Sequence, residues 1–235
     1  MLNKTLLVFG GNGYVGSKIC ETAVANGVKV ISVCRSGKSN PCARSLEGHG
    51  VMTVRGDIMD PSTYNQLIPQ VNGVVSCVGA FGSKAHMELV CGQANIVAVE
   101  ACSKHPNLEM FGFISAHQFK HPPSFLEGYY NGKKAAESEI LHHFGLQRSL
   151  ILRCPMIYGP RPVGKICIPL QLIGKPLEII GSNWLARKAA EKIPFLDLFL
   201  VPPVPISLVA NLMVLSLLHQ KPRGILTPYQ MLESR

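Results

Sequence analysis

The chain has 235 residues, 47% of them hydrophobic and 16% charged, which suits one compact α/β domain with a sizeable core and argues against disordered arms. The formal net charge of +9 fits an anionic membrane surface, nucleic acid or a basic compartment, but no run of Lys or Arg exceeds two and no aromatic residues interleave with them, which argues against nucleic-acid binding. None of the eight cysteines forms a C-x-x-C pair, so no zinc or other metal site is expected, and a reducing compartment is favoured.

Thr5-Leu-Leu-Val-Phe9 is a short continuous apolar run that stops at glycine, as a strand covered on both faces of a parallel sheet does. A helix is expected from Tyr14 to Asn26, closed by Asn26-Gly27. Strands follow at Val28–Cys34 and Val51–Val54, a short helix starts at Asp60-Pro61 with the acid as cap, and a fourth strand covers Val74–Val78. The pattern continues through a helix at His86–Lys104, a strand at Met110–Ser115, a helix at Tyr129–His143 and a strand at Leu150–Cys154. Strands alternating with helices of this length make βαβ units, whose right-handed crossovers give an α/β fold with a Rossmann-type doubly wound parallel sheet. Residues 1–161 carry this core, and 162–235 form a short C-terminal extension of the same domain with one expected helix, Ser207–His219. The start at Met1-Leu2-Asn3-Lys4 shows no signal peptide, so either a cytosolic chain or a processed mature end is expected. The apolar stretch Ile193–Leu218 carries Asp197 and prolines at 194, 202, 203 and 205, which argues against a membrane-spanning helix.

Between the first strand and the first helix lies Gly10-Gly11-Asn12-Gly13-Tyr14-Val15-Gly16, which satisfies both G-x-G-x-x-G and G-x-x-G-x-x-G. One glycine permits the tight turn, the next lets the backbone approach a pyrophosphate, and the last lets helix and strand pack closely, while the helix N-terminus offers N–H donors. Its position after a strand and before a helix is the context that dinucleotide binding requires. At the end of strand two, where an acid would hold the ribose 2′-hydroxyl of NAD(H), the chain has Cys34-Arg35-Ser36-Gly37-Lys38. Arg35 and Ser36 are therefore expected to take the 2′-phosphate of NADP(H), with NAD(H) the lesser alternative and a solvated loop charge the other role open to Arg35. Gly56-Asp57-Ile58 after strand three places a carboxylate where an adenine amino group would donate, or where a turn needs a cap.

Further pieces follow in order: Cys77-Val78-Gly79-Ala80 after strand four, Ile114-Ser115-Ala116 after strand five, Tyr129, Lys133 and Glu137 spaced as Y-x-x-x-K-x-x-x-E, and Leu152-Arg-Cys-Pro155-Met-Ile-Tyr-Gly-Pro-Arg161. Together with the glycine turn they resemble the extended and atypical branches of the short-chain dehydrogenase/reductase superfamily. Within it, Gly10–Gly16, Ser32–Gly37 and Tyr129-Tyr130-Asn131-Gly132-Lys133 are similar to the group containing the nucleotide-binding accessory subunit of respiratory complex I and a coenzyme Q synthesis-complex protein. The resemblance implies that Gly10 to Gly16, Arg35, Ser36, Asp57 and Ile58, Val78 to Ala80, Lys133 and Pro155 hold the dinucleotide. It also implies hydride transfer at a carbonyl. In that chemistry Tyr129 gives or takes the proton, Lys133 lowers its pKa and holds the nicotinamide ribose, and Ser115 orients the substrate oxygen. Tyr130 with Lys134 offers the same spacing one register on, but only Tyr129 is completed by Glu137.

Two functions are compatible with these residues. One is an NADP(H)-dependent oxidoreductase or isomerase acting on a carbonyl or hydroxyl of an apolar, quinone-like or lipid substrate. The other is a non-catalytic accessory subunit of a membrane complex that keeps NADP(H) as a structural ligand. The resemblance places the chain in a mitochondrion, on the matrix side of the inner membrane, with a plastid or the cytoplasm as alternatives. In the tail, Trp184-Leu-Ala-Arg-Lys-Ala-Ala-Glu-Lys192 and the apolar Phe195–Pro203 could dock on a membrane surface or a neighbouring subunit, or simply pack against the sheet.

Overall fold

The computed structural model describes residues 4–38, 50–120, 122–163, 166–192, 196–219 and 223–235. Strand β1 (Thr5–Phe9) is buried from Leu6 onward, and its side chains alternate between two cores. Leu6 and Val8 join one core with Ile19 and Met213, whereas Leu7 and Phe9 join the other with Phe113 and Ile140. Helices cover both faces of the sheet, so the strand needs apolar residues at every position.

The chain continues through α1 (Tyr14–Ala25), β2 (Lys29–Cys34), β3 (Val51–Arg55), β4 (Gly73–Ser76), α2 (Lys84–Met87), α3 (Ala94–Ser103), β5 (Met110–Ala116), α4 (Glu127–Phe144) and β6 (Ser149–Cys154). The tail adds β7 (Ile157–Tyr158), β8 (Pro160–Val163), β9 (Ile166–Pro169), α5 (Gln171–Gly181), α6 (Trp184–Lys192) and α7 (Asp197–Leu200). It ends with β10 (Val204–Pro205), α8 (Ile206–Leu217), β11 (Gly224–Leu226) and α9 (Pro228–Glu233). Seven strands form one sheet in the order β3-β2-β1-β4-β5-β6-β11, with every neighbouring pair parallel. Winding reverses between β1 and β4, the switch point outside which open α/β sheets bind ligands. α8 and α1 cover one face, and α3 and α4 the other.

Three expectations change. Strand β4 stops at Ser76 and not at Val78, because Cys77 makes a last backbone bond to Phe9 and the Val78 carbonyl turns to accept from Lys133. The helix expected at His86–Lys104 starts two residues earlier, with Ser83 as cap, and widens to a π-helical segment at Glu88–Gln93 where Gly92 meets Gly132 of α4. The tail is far more ordered than one helix. A three-residue strand such as β11 is too short for a period of two to register, and Gly174 and Pro176 hide α5 from a reading that treats them as breakers.

Candidate functional site

All six core strands run the same way, so Gly10–Gly16, Arg35, Asp57 with Ile58, Val78–Ala80 and Pro155 emerge at one edge of the sheet. At the first of these turns Gly10 adopts a left-handed conformation (φ +75°), and Gly13 donates its N–H back to the Gly10 carbonyl at 2.9 Å. A Cβ on Gly16 would lie only 2.2 Å from the Gly10 carbonyl oxygen, which is backbone and cannot move aside, and one on Gly11 would lie 2.3 Å from Ser32 Oγ and force that side chain to turn away. Gly13, by contrast, is exposed, and its missing Cβ faces open space apart from Gly10 O at 3.2 Å. Helix α1 starts there without a capping side chain and without an acid in its first turn, which leaves its positive end suited to an anion. A diphosphate therefore fits this cradle. Val15 packs into the core beneath it, and the Tyr14 ring lies under the Arg161 guanidinium at 5.5 Å.

Arg35 is exposed at the end of β2, and Asn12 Nδ2 donates to Ser36 Oγ at 3.4 Å, joining the glycine turn to the following loop. Lys38 N–H also donates to Ser36 Oγ, at 3.2 Å. Asp57 fills the turn-cap role with one oxygen, accepting from Met59 N–H at 3.0 Å, while Tyr64 donates to the Ile58 carbonyl at 2.9 Å and fixes that loop.

On α4, Lys133 is buried against the sheet. Its ammonium donates to the Ile114 carbonyl at 2.7 Å and the Val78 carbonyl at 3.0 Å, and it sits 4.4 Å from the centre of the Phe113 ring. Burial lowers its pKa to about 8, opposed by nearby cysteines and Glu137. The Tyr129 ring lies one turn earlier, 6.0 Å from the ammonium and stacked on exposed Phe81 at 5.0 Å, and burial raises its phenol pKa. Ser115 is drawn elsewhere: its hydroxyl donates to Glu137 Oε1 at 2.5 Å, and Arg153 grips the same carboxylate with Nε at 3.2 and 3.1 Å and a terminal nitrogen at 2.7 Å. Glu137 and Ser115 are both buried. Sequence spacing could not pair Glu137 with Arg153, although both lie in motif segments. It also missed buried Asn95, which accepts from Ser76 at 2.6 Å and donates to Cys91 O at 3.0 Å, bracing the π-helical segment against β4.

A cavity of about 240 Å³ opens beside this cluster, lined in part by Ser115, Ala116, Tyr130, Asn131, Lys133 and Lys134. The neighbouring Tyr130 and Lys134 line it, whereas Tyr129 does not. It is smaller than the usual range for a drug-sized ligand pocket.

Lys133 carries a pH signature. Its folded pKa of about 8 lies below the 10.5 of a free lysine, so between these values the unfolded chain binds more protons and stability rises with pH. Lys133→Met removes this term. The stability of the natural chain relative to Lys133→Met should be flat below about pH 8 and increase towards pH 10.5, over a constant offset from the two carbonyls left without their donor. Urea unfolding of both proteins at pH 7 and above pH 9 checks this, and parallel curves would refute it.

Residues 2–105 match the NmrA-like family. The chain is 35% identical to an uncharacterized chloroplastic protein of Arabidopsis thaliana, over 99% of this chain and 77% of that one. The chain belongs to the atypical short-chain dehydrogenase/reductase superfamily. It is also 24% identical to MIOREX complex component 2 of Saccharomyces cerevisiae, over 97% of this chain and 99% of that one. The Bordetella bronchiseptica enzyme WbmH, solved in complex with NAD+, shares the fold with a TM-score of 0.62 at 18% identity, over 95% of this chain and 74% of that one. In this member of the superfamily the tyrosine and lysine of the Y-x-x-x-K motif stand on one face of α4, whereas the serine after β5 serves the Glu137–Arg153 pair.

Proposed function

We propose that this protein binds NADP(H) and keeps it as a resident ligand within an organellar assembly. Gly10 to Gly16 would hold its diphosphate, Arg35 and Ser36 its 2′-phosphate, Asp57 and Ile58 its adenine, and Val78–Ala80, Lys133 and Pro155 its nicotinamide half. The closed positions at Gly11 and Gly16 beside the open face of Gly13 carry the binding reading. Bound nicotinamide supplies or accepts a hydride, and Tyr129 is the group on this chain that would move the matching proton. The residence reading is supported by the commitment of Ser115, whose hydroxyl donates to buried Glu137. A chloroplastic relative and another named as a complex component support an organellar assembly, mitochondrial or plastid.

The second reading is a reductase for an apolar or quinone-like carbonyl, favoured by the cavity beside Lys133 and by Tyr129 one turn away. Calorimetric titration with NADPH and NADH, followed by a turnover assay with a quinone and a ketone, separates the two. Arg35→Asp should weaken NADPH binding about 10- to 100-fold, as expected for loss of a charge-assisted contact plus a repulsive carboxylate, while NADH binding changes little. Unchanged selectivity removes Arg35 from the site. Turnover lost in Tyr129→Phe establishes the reductase.

A further inference from the structure

Helix α5 is built the wrong way round for a helix that packs a core. Its buried residues are Gly174, Glu178 and Gly181, while Leu172, Ile173 and Ile179 are 73%, 62% and 64% exposed and Ile180 lies open beside them. Rotation cannot cure this. A Cβ on Gly174 would lie 2.2 Å from the Tyr158 ring and one on Gly181 2.5 Å from the Leu200 carbonyl, so only glycine fits at these two inward positions. Glu178, between them, accepts from Tyr158, from Arg235 at 2.7 Å and from Lys175 at 3.3 Å, which locks the same face inward. The apolar stripe is therefore held outward, and Trp184 (64% exposed) and Leu185 of α6 extend it. The Phe195–Pro203 segment contributes less than its composition suggests: Val201 to Pro203 are buried, Phe199 is exposed, and Phe195 lies outside the described residues.

Charge decides what covers this surface. From residue 161 to residue 192 the sequence has six basic residues (Arg161, Lys165, Lys175, Arg187, Lys188 and Lys192) against two acidic ones, Glu178 and Glu191, and exposed Glu233 of α9 offsets Arg187 at 4.0 Å. Glu178 is buried and offset by Lys175 and Arg235, so Lys188 and Lys192 carry the excess positive charge beside the stripe. Lys175, Lys188 and Lys192 are exposed around the apolar stripe, with the Lys188 ammonium 5.1 Å from the Trp184 ring. Isoleucine and leucine on one side, with tryptophan and lysine at the margin, match a segment lying in a lipid–water interface against anionic headgroups. Among the described residues no helix is long and apolar enough to cross a membrane, so the contact is peripheral.

We infer that α5 and the start of α6 form a peripheral docking surface for a bilayer containing anionic lipid. Trp184 is the sole tryptophan and sits within the surface, so its fluorescence reports the contact directly. Added to vesicles of phosphatidylcholine with about a third phosphatidylglycerol, the full chain should float with the lipid and its emission should shift to the blue. Brominated acyl chains should quench it, and pure phosphatidylcholine or high salt should weaken binding at least ~10-fold. Leu172→Ser with Ile179→Ser should lose binding by a similar factor with an unchanged circular dichroism spectrum, because both side chains are already exposed. Absence of flotation with anionic vesicles overturns the inference. So does a lipid-free dimer abolished by the same double substitution, which would make the occupant a second copy, or a protein partner that protects Trp184 from aqueous quencher after all lipid is stripped.

Discussion

Gly16→Ala should abolish dinucleotide binding, with affinity reduced at least ~100-fold and stability lowered by about 1–3 kcal/mol. The added methyl carbon would meet Gly10 O at 2.2 Å, Gly10 C at 2.8 Å and Gly11 Cα at 2.9 Å, all backbone atoms, so no side chain can move aside. Either the start of α1 or the glycine turn must shift, and both shape the diphosphate cradle. Gly13→Ala is the informative companion. Gly13 has φ −80° and ψ 174°, a conformation alanine adopts freely, and its Cβ would be tight only against Gly10 O at 3.2 Å. It should fold with a loss of under about 1 kcal/mol at the cap, yet bind NADPH much more weakly, because its open face is where a diphosphate would lie. Urea unfolding and calorimetry on the two variants separate damage to the fold from damage to the cradle. If Gly13→Ala binds like the natural chain, the diphosphate is not at this turn.

The doubly wound order was legible because each core strand is an apolar run ended by glycine or a polar turn, and each crossover is long enough for one helix. Position in the sheet decides how well boundaries can be read. β1 is covered on both faces and ends at Phe9 as expected, whereas β4 loses Val78 because a lysine 55 residues away takes its carbonyl. The glycine turn was legible because the constraints on Gly13 and Gly16 are local, set by Gly10 and Gly11 no more than six residues away, although Gly10 also packs on Cys77 and Val78, and Gly11 on Cys20 and Ser32. The outward face of α5 was not. Its orientation is set by contacts of Gly174 with Tyr158, Gly181 with Leu200 and Glu178 with Arg235, none of which periodicity can register. Ser115 shows the same limit within the site. A serine after β5 has the right address for orienting a substrate, but its hydroxyl follows the nearest buried carboxylate, which spacing along the chain does not reveal.

That carboxylate is the second place where one substitution should have a large effect. Glu137→Ala should cost about 3–5 kcal/mol, because it leaves the Arg153 guanidinium, with 24% of its side chain exposed, and the buried Ser115 hydroxyl without their shared acceptor. Glu137→Gln keeps the volume and one accepting oxygen, so it should cost clearly less. Ser115→Ala removes a single donor to a charged group and should cost about 1.5–3 kcal/mol while leaving NADPH affinity unchanged. The double variant Ser115→Ala with Glu137→Ala should then cost less than the sum of the two, since the first removes a group that the second would strand. Thermal and urea unfolding of the four proteins, with NADPH titrations alongside, measure this cycle. A Ser115→Ala protein as stable as the natural chain but devoid of turnover would show that the hydroxyl faces a substrate and not Glu137, and would return the serine to the proton relay with Tyr129.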